Sequence, residues 1–264
     1  MEYLTLLWGT VLLRPYVFVF LAVYLTIAIL DMGVVRSIVF TGLAYTIAFI
    51  SEYSSTRNGF PYGFYSYIET TRDQELWISN VPFMDSLSFT FLAYVAYTMA
   101  LFLWSPLKKN RWDIRLVENE HIRKSLKVVF SGGVLFMLMD IIIDPVAFRG
   151  DRWFLGKIYT YKEQGEYFNI PLTNFFGWLI VGTCILYCFT RLDGWLARNF
   201  PHQPHEIPAQ ALLGPGLYLG VLLFNLAVTF YIGEWLLGAC GVGLTFALSW
   251  LLYYKIRNPE KITL

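Results

Sequence analysis

Apolar runs close to the thickness of a bilayer recur along most of this chain. They cover residues 15–30, 34–51, 84–104, 126–143, 172–190, 211–231 and 234–254. A helix needs about 20 such residues to cross the hydrocarbon core of a membrane. Only 15% of the 264 residues are charged, whereas soluble domains carry about 25%. The sequence therefore predicts an all-α, polytopic transmembrane helical bundle of about seven spans, forming a single integral membrane domain over residues 1–264.

The distribution of lysine and arginine predicts how this bundle lies in a cell membrane. These residues are concentrated in the connections 105–124 and 191–210 and after the last span. Basic loops usually stay on the cytoplasmic side. We therefore expect a multi-pass protein with its N-terminus outside and its C-terminus cytoplasmic.

Two long polar and aromatic segments, 53–82 and 145–171, separate the second span from the third and the fourth from the fifth. In a seven-span topology both segments lie on the same membrane face. That face also receives the polar residues at the adjoining span ends, namely Glu52, Asp85, Asp144, Asn174 and Glu234. Residues far apart in the chain are thus predicted to converge in one acidic, aromatic region.

The fourth span ends with two carboxylates, Asp140 and Asp144, followed by Pro145. We expect Pro145 to end the helix, because proline cannot continue the backbone hydrogen bonding. The carboxylates are one turn, about 6 Å, apart on one side of the helix, and in an apolar setting they can share a proton. Alternatively, Asp144 faces water and Asp140 bonds a neighbouring helix. We favour the functional interpretation, since ionisable residues within spans are usually functional.

Glu52, at the end of the second span, has two interpretations of similar weight. It is either a second proton donor beside Asp144 or an interfacial acid paired with Arg57. Membrane acids cluster at functional sites, which supports the first interpretation.

The stretch GFPYGFYSY at 59–67 is rich in turn residues and aromatics. Such a stretch forms either an aromatic belt at the lipid–water boundary or a re-entrant lid over a cavity. The sequence alone favours the belt.

Other polar residues near the predicted face have a simple structural explanation. Asp85 and Asn174 occupy positions suited to capping the third and fifth spans, and Glu166 is typical of a turn. His202 and His205 are spaced for a metal, but no third ligand is evident. The net charge of +1 gives no indication of nucleic-acid binding.

Several motifs taken together resemble the CruF-type carotenoid biosynthesis proteins. They are Glu52 followed by Arg57, the GFPYGFYSY turn, VPFMDSLSF leading into AYVAY, the Asp-Pro pair at 144–145, and GEYFNIPLTNFFGW. The resemblance covers about residues 52–178 by motif and the rest by hydrophobic layout. It implies a membrane carotenoid hydratase, a hydro-lyase that adds water to the terminal C-1–C-2 double bond of an acyclic carotenoid end group. The implied partners are a lycopene-like polyene, water and membrane lipid.

The residues present suit this chemistry. A carboxylic acid kept protonated by burial can protonate C-2, aromatic faces can stabilise the tertiary cation at C-1, and water then captures it. We expect Asp144 or Asp140 to be the acid with Glu52 as partner, and no metal or redox cofactor. The expected substrate-binding residues are Arg57, Phe60, Tyr62, Phe64, Tyr65, Tyr67, Asp85, Ser88, Trp153, Glu166, Tyr167, Phe168, Asn174 and Trp178.

Two alternatives remain open at the level of sequence. A carotenoid end-group cyclase uses the same protonation but traps the cation with an internal alkene. A proton-coupled transporter or a lipophile-binding membrane protein would also gather acids and aromatics.

Overall fold

A computed structural model of the chain describes residues 2–111, 113–117, 119–202 and 207–259. Seven helices in these ranges are long and apolar enough to cross a membrane, which confirms the predicted all-α polytopic bundle. The helices are α1 (Glu2–Leu13), α2 (Pro15–Met32), α3 (Val34–Asn58), α4 (Phe83–Trp104), α5 (Glu120–Arg123), α6 (Leu126–Ala147), α7 (Leu172–Asn199), α8 (Leu213–Tyr231) and α9 (Trp235–Arg257). The short α1 and α5 are not among the seven.

The helix α4 forms the centre of the bundle. It packs against α2, α3, α6 and α8, and most of its side chains are buried. Its sequence is apolar on every side, which is typical of a helix surrounded by others. The surrounding helices therefore enclose α4.

The helices α6 and α7 pack closely because small residues lie between them. A Cβ atom on Gly182 would lie 2.6 Å from Cδ1 of Phe136, so only glycine fits there. Small residues allow helix backbones in membranes to approach each other. This packing fixes the start of α7 beside the end of α6.

The prediction that Pro145 ends the fourth span is wrong, because α6 continues through it to Ala147. Proline removes one backbone donor, but the turn around it keeps other bonds. The Phe148 amide donates to the Asp144 carbonyl oxygen over 2.8 Å, and Arg149 Nη1 donates to the Pro145 carbonyl oxygen over 2.9 Å. Asp144 consequently lies within the helix, and only 9% of the residue is exposed.

Short strands, which the sequence did not predict, occur in the connections. They are β1 (Tyr65–Tyr67), β2 (Trp77–Ile78), β3 (Val81–Pro82), β4 (Leu107–Asn110), β5 (Asp113–Leu116) and β6 (Tyr159–Tyr161). The strands β2 and β3 pair with each other, as do β4 and β5. The strand β1 pairs antiparallel with β6, so that Tyr65 lies opposite Tyr161 and Tyr67 opposite Tyr159. This last pair joins the two long polar segments at one end of the bundle.

A buried ion pair ties the N-terminal helices to the same end. Arg14, between α1 and α2, contacts Glu75 over 2.9 Å, and both side chains are almost fully buried. Arg14 also donates to the carbonyl oxygen of Leu155. One arginine thus links the start of α2 to both polar segments.

Candidate active site

The cavity that carries the acidic residues lies where α3 and α6 end and α4 and α7 begin. Its volume is about 80 Å³, which admits several water molecules, since one needs about 10–15 Å³. Three carboxylates line it, one each from Glu52, Asp85 and Asp144. The predicted convergence of the two polar segments on one acidic region is therefore present in the structure.

The carboxylate of Asp144 accepts hydrogen bonds from three side chains. Tyr159 Oη donates to Oδ1 over 2.6 Å, and Tyr161 Oη donates to Oδ2 over 2.9 Å. Asn174 Nδ2 also donates to Oδ2, over 3.0 Å. Three hydrogen-bond donors hold the carboxylate in one orientation and stabilise its ionised form.

Asp140 lies behind Asp144 and does not line the cavity. Asn174 Nδ2 donates to Asp140 Oδ2 over 2.6 Å, so one amide group bridges the two carboxylates. The Oδ1 atom of Asp140 is buried and accepts no hydrogen bond within the described part of the chain. The two aspartates and Asn174 therefore form one connected polar unit, with Asp144 as the member that faces the cavity.

A second acidic unit lies across the cavity on α3 and α4. Ser86 Oγ donates to Oε2 of the buried Glu52, and Tyr67 Oη donates to Oδ2 of Asp85. The prediction that Asp85 caps α4 is wrong, because Pro82 occupies the N-cap position and no side chain makes a capping bond there.

Two further interpretations from the sequence are also wrong. Arg57 does not pair with Glu52, since its guanidinium donates to Asn80 Oδ1 over 2.8 Å and lies over the Tyr53 ring. Asn174 does not cap α7, because Pro171 is the N-cap residue. The side chains of Glu52 and Asn174 are thereby available to the cavity region.

Four tyrosines from the paired strands β1 and β6 form one wall of the site. Tyr65, Tyr67, Tyr159 and Tyr161 all line the cavity. Burial raises the pKa of Tyr159 and Tyr161 well above the ordinary value, and the neighbouring Asp144 charge raises it further. These phenols therefore remain hydrogen-bond donors throughout the neutral and mildly alkaline range.

Tyr159 and Tyr161 were not among the residues expected from the sequence. A signal for them exists, because Tyr-Thr-Tyr at 159–161 repeats the pattern Tyr-Ser-Tyr at 65–67. Side chains two apart in a strand point to the same face. Each strand thus presents two phenols on one side.

An aromatic group borders the cavity on the side of α7. The Trp178 ring stacks on Phe89 with centroids 4.5 Å apart and contacts Phe136 at 4.6 Å. Tyr62 lies at 6.4 Å from Trp178. It reaches this position because Gly177 leaves room, since a Cβ atom there would lie 2.5 Å from Tyr62 Cδ1. Among aromatic side chains, tryptophan stabilises a cation over its π-face best.

The family model described as carotenoid biosynthesis protein matches residues 10–248. The chain belongs to the carotenoid biosynthesis protein family. This match confirms the resemblance found at residues 52–178 and extends it over most of the chain. No curated protein sequence and no solved structure matches the chain.

Within this carotenoid biosynthesis protein, the residues expected at the site divide into two sets. Those that line the acid-bearing cavity are Glu52, Tyr62, Tyr65, Tyr67, Asp85, Ser88, Asp144, Asn174 and Trp178. Those that do not are Arg57, Phe60, Phe64, Asp140, Trp153, Glu166, Tyr167 and Phe168. The roles of both sets in substrate binding stay predictions.

The aromatic-belt interpretation of 59–67 fits only part of that stretch. Phe60 is 61% exposed and Phe64 42%, as belt residues would be, whereas Tyr62 and Tyr65 are buried against the cavity. Glu166 is exposed and accepts from the Leu172 amide over 3.2 Å at the start of α7, which agrees with a turn acid.

A larger cavity, about 550 Å³, lies at the opposite end of the carotenoid biosynthesis protein. Its polar lining includes Asp31, Arg36 and Gln210. Asp31 accepts from Tyr94 and Gln210, and Arg36 pairs with Asp193. His202 lies near this end with Nε2 3.1 Å from the Leu30 carbonyl oxygen, while the His205 of the predicted pair lies outside the described residues.

Proposed function

We propose that this protein hydrates the terminal C-1–C-2 double bond of an acyclic carotenoid end group, as a hydro-lyase of the carotenoid 1,2-hydratase type. The observation that carries the proposal is the position of Asp144 in the cavity, bound by two phenols and linked through Asn174 to Asp140. Membership of the carotenoid biosynthesis family supports the class of substrate.

The first step is transfer of a proton from a carboxylic acid to C-2. Asp144 is the member of the aspartate pair that contacts the cavity, and we assign it this role, with Asp140 sharing the proton from behind. The three donors around Asp144 stabilise the carboxylate that remains after transfer. The pair thus holds a proton before the reaction and accommodates a charge after it.

The tertiary cation at C-1 forms next to the aromatic group. The faces of Trp178, Phe89 and Tyr62 border the same cavity as Asp144. A cation over such a face is stabilised by about 0.5–2 kcal/mol. The residual negative charge on Asp144 adds to this stabilisation.

Water then attacks C-1, and the resulting oxonium ion loses a proton. Glu52 lies across the cavity from Asp144 and is our candidate for orienting this water. The released proton returns to the carboxylate pair, so the net reaction adds one water molecule to the alkene. The carboxylate pair therefore ends the reaction cycle with the same number of protons as it had at the start.

The alternative functions differ from hydration in the step after protonation. A cyclase would use the same acid, but space for several waters beside polar groups favours capture by water. The large cavity at the opposite end of the bundle is the feature that a transporter would use. Product mass separates the three, because hydration adds water, cyclisation is an isomerisation and transport leaves the pigment unchanged.

The proposal is tested by expressing Asp144→Asn and Asp140→Asn variants in cells that accumulate lycopene. We expect the wild type to yield pigments heavier by one water per reacted end. Each variant should lose activity by at least ~100-fold, the usual scale of acid–base catalysis, while still inserting into the membrane. Asp151→Asn is the matched control, since Asp151 is exposed in the same polar segment. Wild-type rates in both aspartate variants would remove the pair from the mechanism.

A further inference from the structure

A second lobe adjoins the acid-lined cavity on the side of α2 and α8. The residues that line both lobes are Asp85, Ser88, Leu92, Ile143, Ala147 and Ile158. Beyond them the second lobe is bordered by Tyr16 and Phe20 of α2 and by Val221 and Phe224 of α8. The two lobes are therefore adjacent, and the second reaches the place where α2 and α8 pack against each other.

Aromatic rings close the outer end of this second lobe. Tyr16 and Phe224 stack between α2 and α8 with centroids 5.4 Å apart, and Phe20 meets Phe224 edge-on at 5.6 Å. Trp153 lies 6.0 Å from Tyr16. Tyr16, Phe20 and Phe224 are each partly exposed, so the closure consists of side chains at the surface and not of a packed backbone.

The chemistry of the second lobe differs from that of the first. Its polar residues, Asp85, Ser88 and Asn225, are few among an otherwise apolar and aromatic lining. Aromatic faces favour flat, apolar ligands, and apolar pockets with few polar groups bind hydrophobic molecules. A conjugated hydrocarbon chain meets both conditions.

We propose that the acyclic carotenoid enters laterally from the bilayer between α2 and α8. Its polyene chain occupies the second lobe and its end group reaches Asp144. The lobe holds only the first part of a long polyene, because its volume is about 80 Å³, and the rest of the chain stays in the lipid. The identity of the ligand rests on the proposed function, whereas the path rests on the shared lining and the aromatic closure. Trp153 then contacts the chain and not the reacting end.

The path is tested by filling the lobe at Val221, which is 2% exposed and lines it. Purified protein in lipid nanodiscs is incubated with lycopene-loaded vesicles. Binding is measured from the absorbance of retained lycopene and from its induced circular dichroism. We expect Val221→Trp to retain at least ~10-fold less lycopene than the wild type, a loss of about 1.4 kcal/mol. Leu223→Trp, on the same helix but 58% exposed, is the matched control and should bind as the wild type does.

A second variant tests the closure and does not depend on how Val221→Trp folds. Phe224→Ala removes the ring that both α2 aromatics contact, so bound lycopene should transfer to empty vesicles several-fold faster. Phe246→Ala on α9, where Phe246 is 68% exposed, should leave the rate unchanged. Unchanged transfer in Phe224→Ala, or wild-type binding in a folded Val221→Trp, overturns the path.

The hydration assay keeps the two proposals apart. If wild-type protein binds lycopene through this lobe but never hydrates it, the proposed function fails and the path stands. If hydration occurs and the lobe variants bind and react like the wild type, the path fails and the function stands.

Discussion

Tyr159 donates a 2.6 Å hydrogen bond from Oη to Oδ1 of Asp144, although the two residues lie in different elements. The contact forms because β6 pairs with β1 and carries its phenols over the end of α6. Tyr161 binds the other oxygen of the same carboxylate. A short sheet outside the helices therefore determines the environment of a carboxylate within one of them.

Replacing these phenols tests their contribution directly. We expect Tyr159→Phe and Tyr161→Phe each to lower hydration of lycopene by ~10- to 100-fold. Each removes one donor to a charged acceptor, a bond of about 1.5–3 kcal/mol. Rates are measured with purified protein in nanodiscs, and Tyr187→Phe, at a residue 45% exposed on α7, is the control. Full activity in a variant that carries both Tyr159→Phe and Tyr161→Phe would contradict the assigned role of the phenols.

The amide of Asn174 is expected to matter for both stability and reaction. Asn174→Leu keeps the approximate shape but removes the donor to Asp140 and Asp144. Leaving such buried acceptors unsatisfied costs about 1–3 kcal/mol or more, so the variant should unfold at lower temperature and hydrate poorly. Thermal unfolding and turnover are measured on the same preparation. A variant as stable and as active as the wild type would show that the bridge is unimportant.

Trp178 is expected to act on the transition state more than on binding. Trp178→Leu removes an aromatic ring that lines the cavity with Asp144. Loss of cation–π stabilisation of about 0.5–2 kcal/mol corresponds to a ~2- to 30-fold fall in kcat. An interaction made only in the transition state lowers kcat and leaves KM almost unchanged. Steady-state kinetics on lycopene give both constants. A rise in KM alone would instead assign Trp178 to substrate binding.

The tyrosine wall predicts a distinctive alkaline titration. Burial and the Asp144 charge raise the pKa of Tyr159 above its unfolded value of about 10. The neutral phenol is thus favoured in the folded state. Its contribution to stability is complete below about pH 10 and is lost as pH rises through the folded pKa.

This titration can be followed by tyrosinate absorbance. The four wall tyrosines, whose pKa values are all raised by burial, should ionise only as the protein unfolds. Tyr159→Phe should reduce only the absorbance change that accompanies unfolding. Ionisation of the wall tyrosines near pH 10, before the protein unfolds, would show that the wall is open to solvent.

The sequence predicted the features of this protein that depend on apolar content and connectivity. Seven apolar runs correspond to seven helices because the cost of exposing backbone polar groups to lipid leaves few other structures. Because successive helices run in opposite directions, Glu52, Asp85 and Asp144 were then expected to lie at one end of the bundle. The cavity contains all three.

Features that depend on tertiary contacts were not predicted. The α6 helix continues through Pro145 because hydrogen bonds from Phe148 and Arg149 stabilise that turn. The presence of a proline in the sequence does not reveal these hydrogen bonds. Tyr159 and Tyr161 enter the site through strand pairing between segments about ninety residues apart, and strands this short leave little periodicity. The burial of Asp140 behind Asp144 likewise reflects the position of Asn174 on α7.

The origin of the hydrogen added to C-2 and the position of the new hydroxyl group test the central claim most directly. Purified protein in nanodiscs is supplied with lycopene in deuterium oxide, and the product is characterised by mass spectrometry and nuclear magnetic resonance. The account predicts a product with one deuterium on C-2 and the hydroxyl on C-1 of each reacted end, absent with Asp144→Asn. The product is heavier than lycopene by one molecule of heavy water per reacted end until the hydroxyl deuterium exchanges with solvent. A deuterated isomer of lycopene without added oxygen would contradict it. So would the absence of a hydrated product from every acyclic carotenoid supplied.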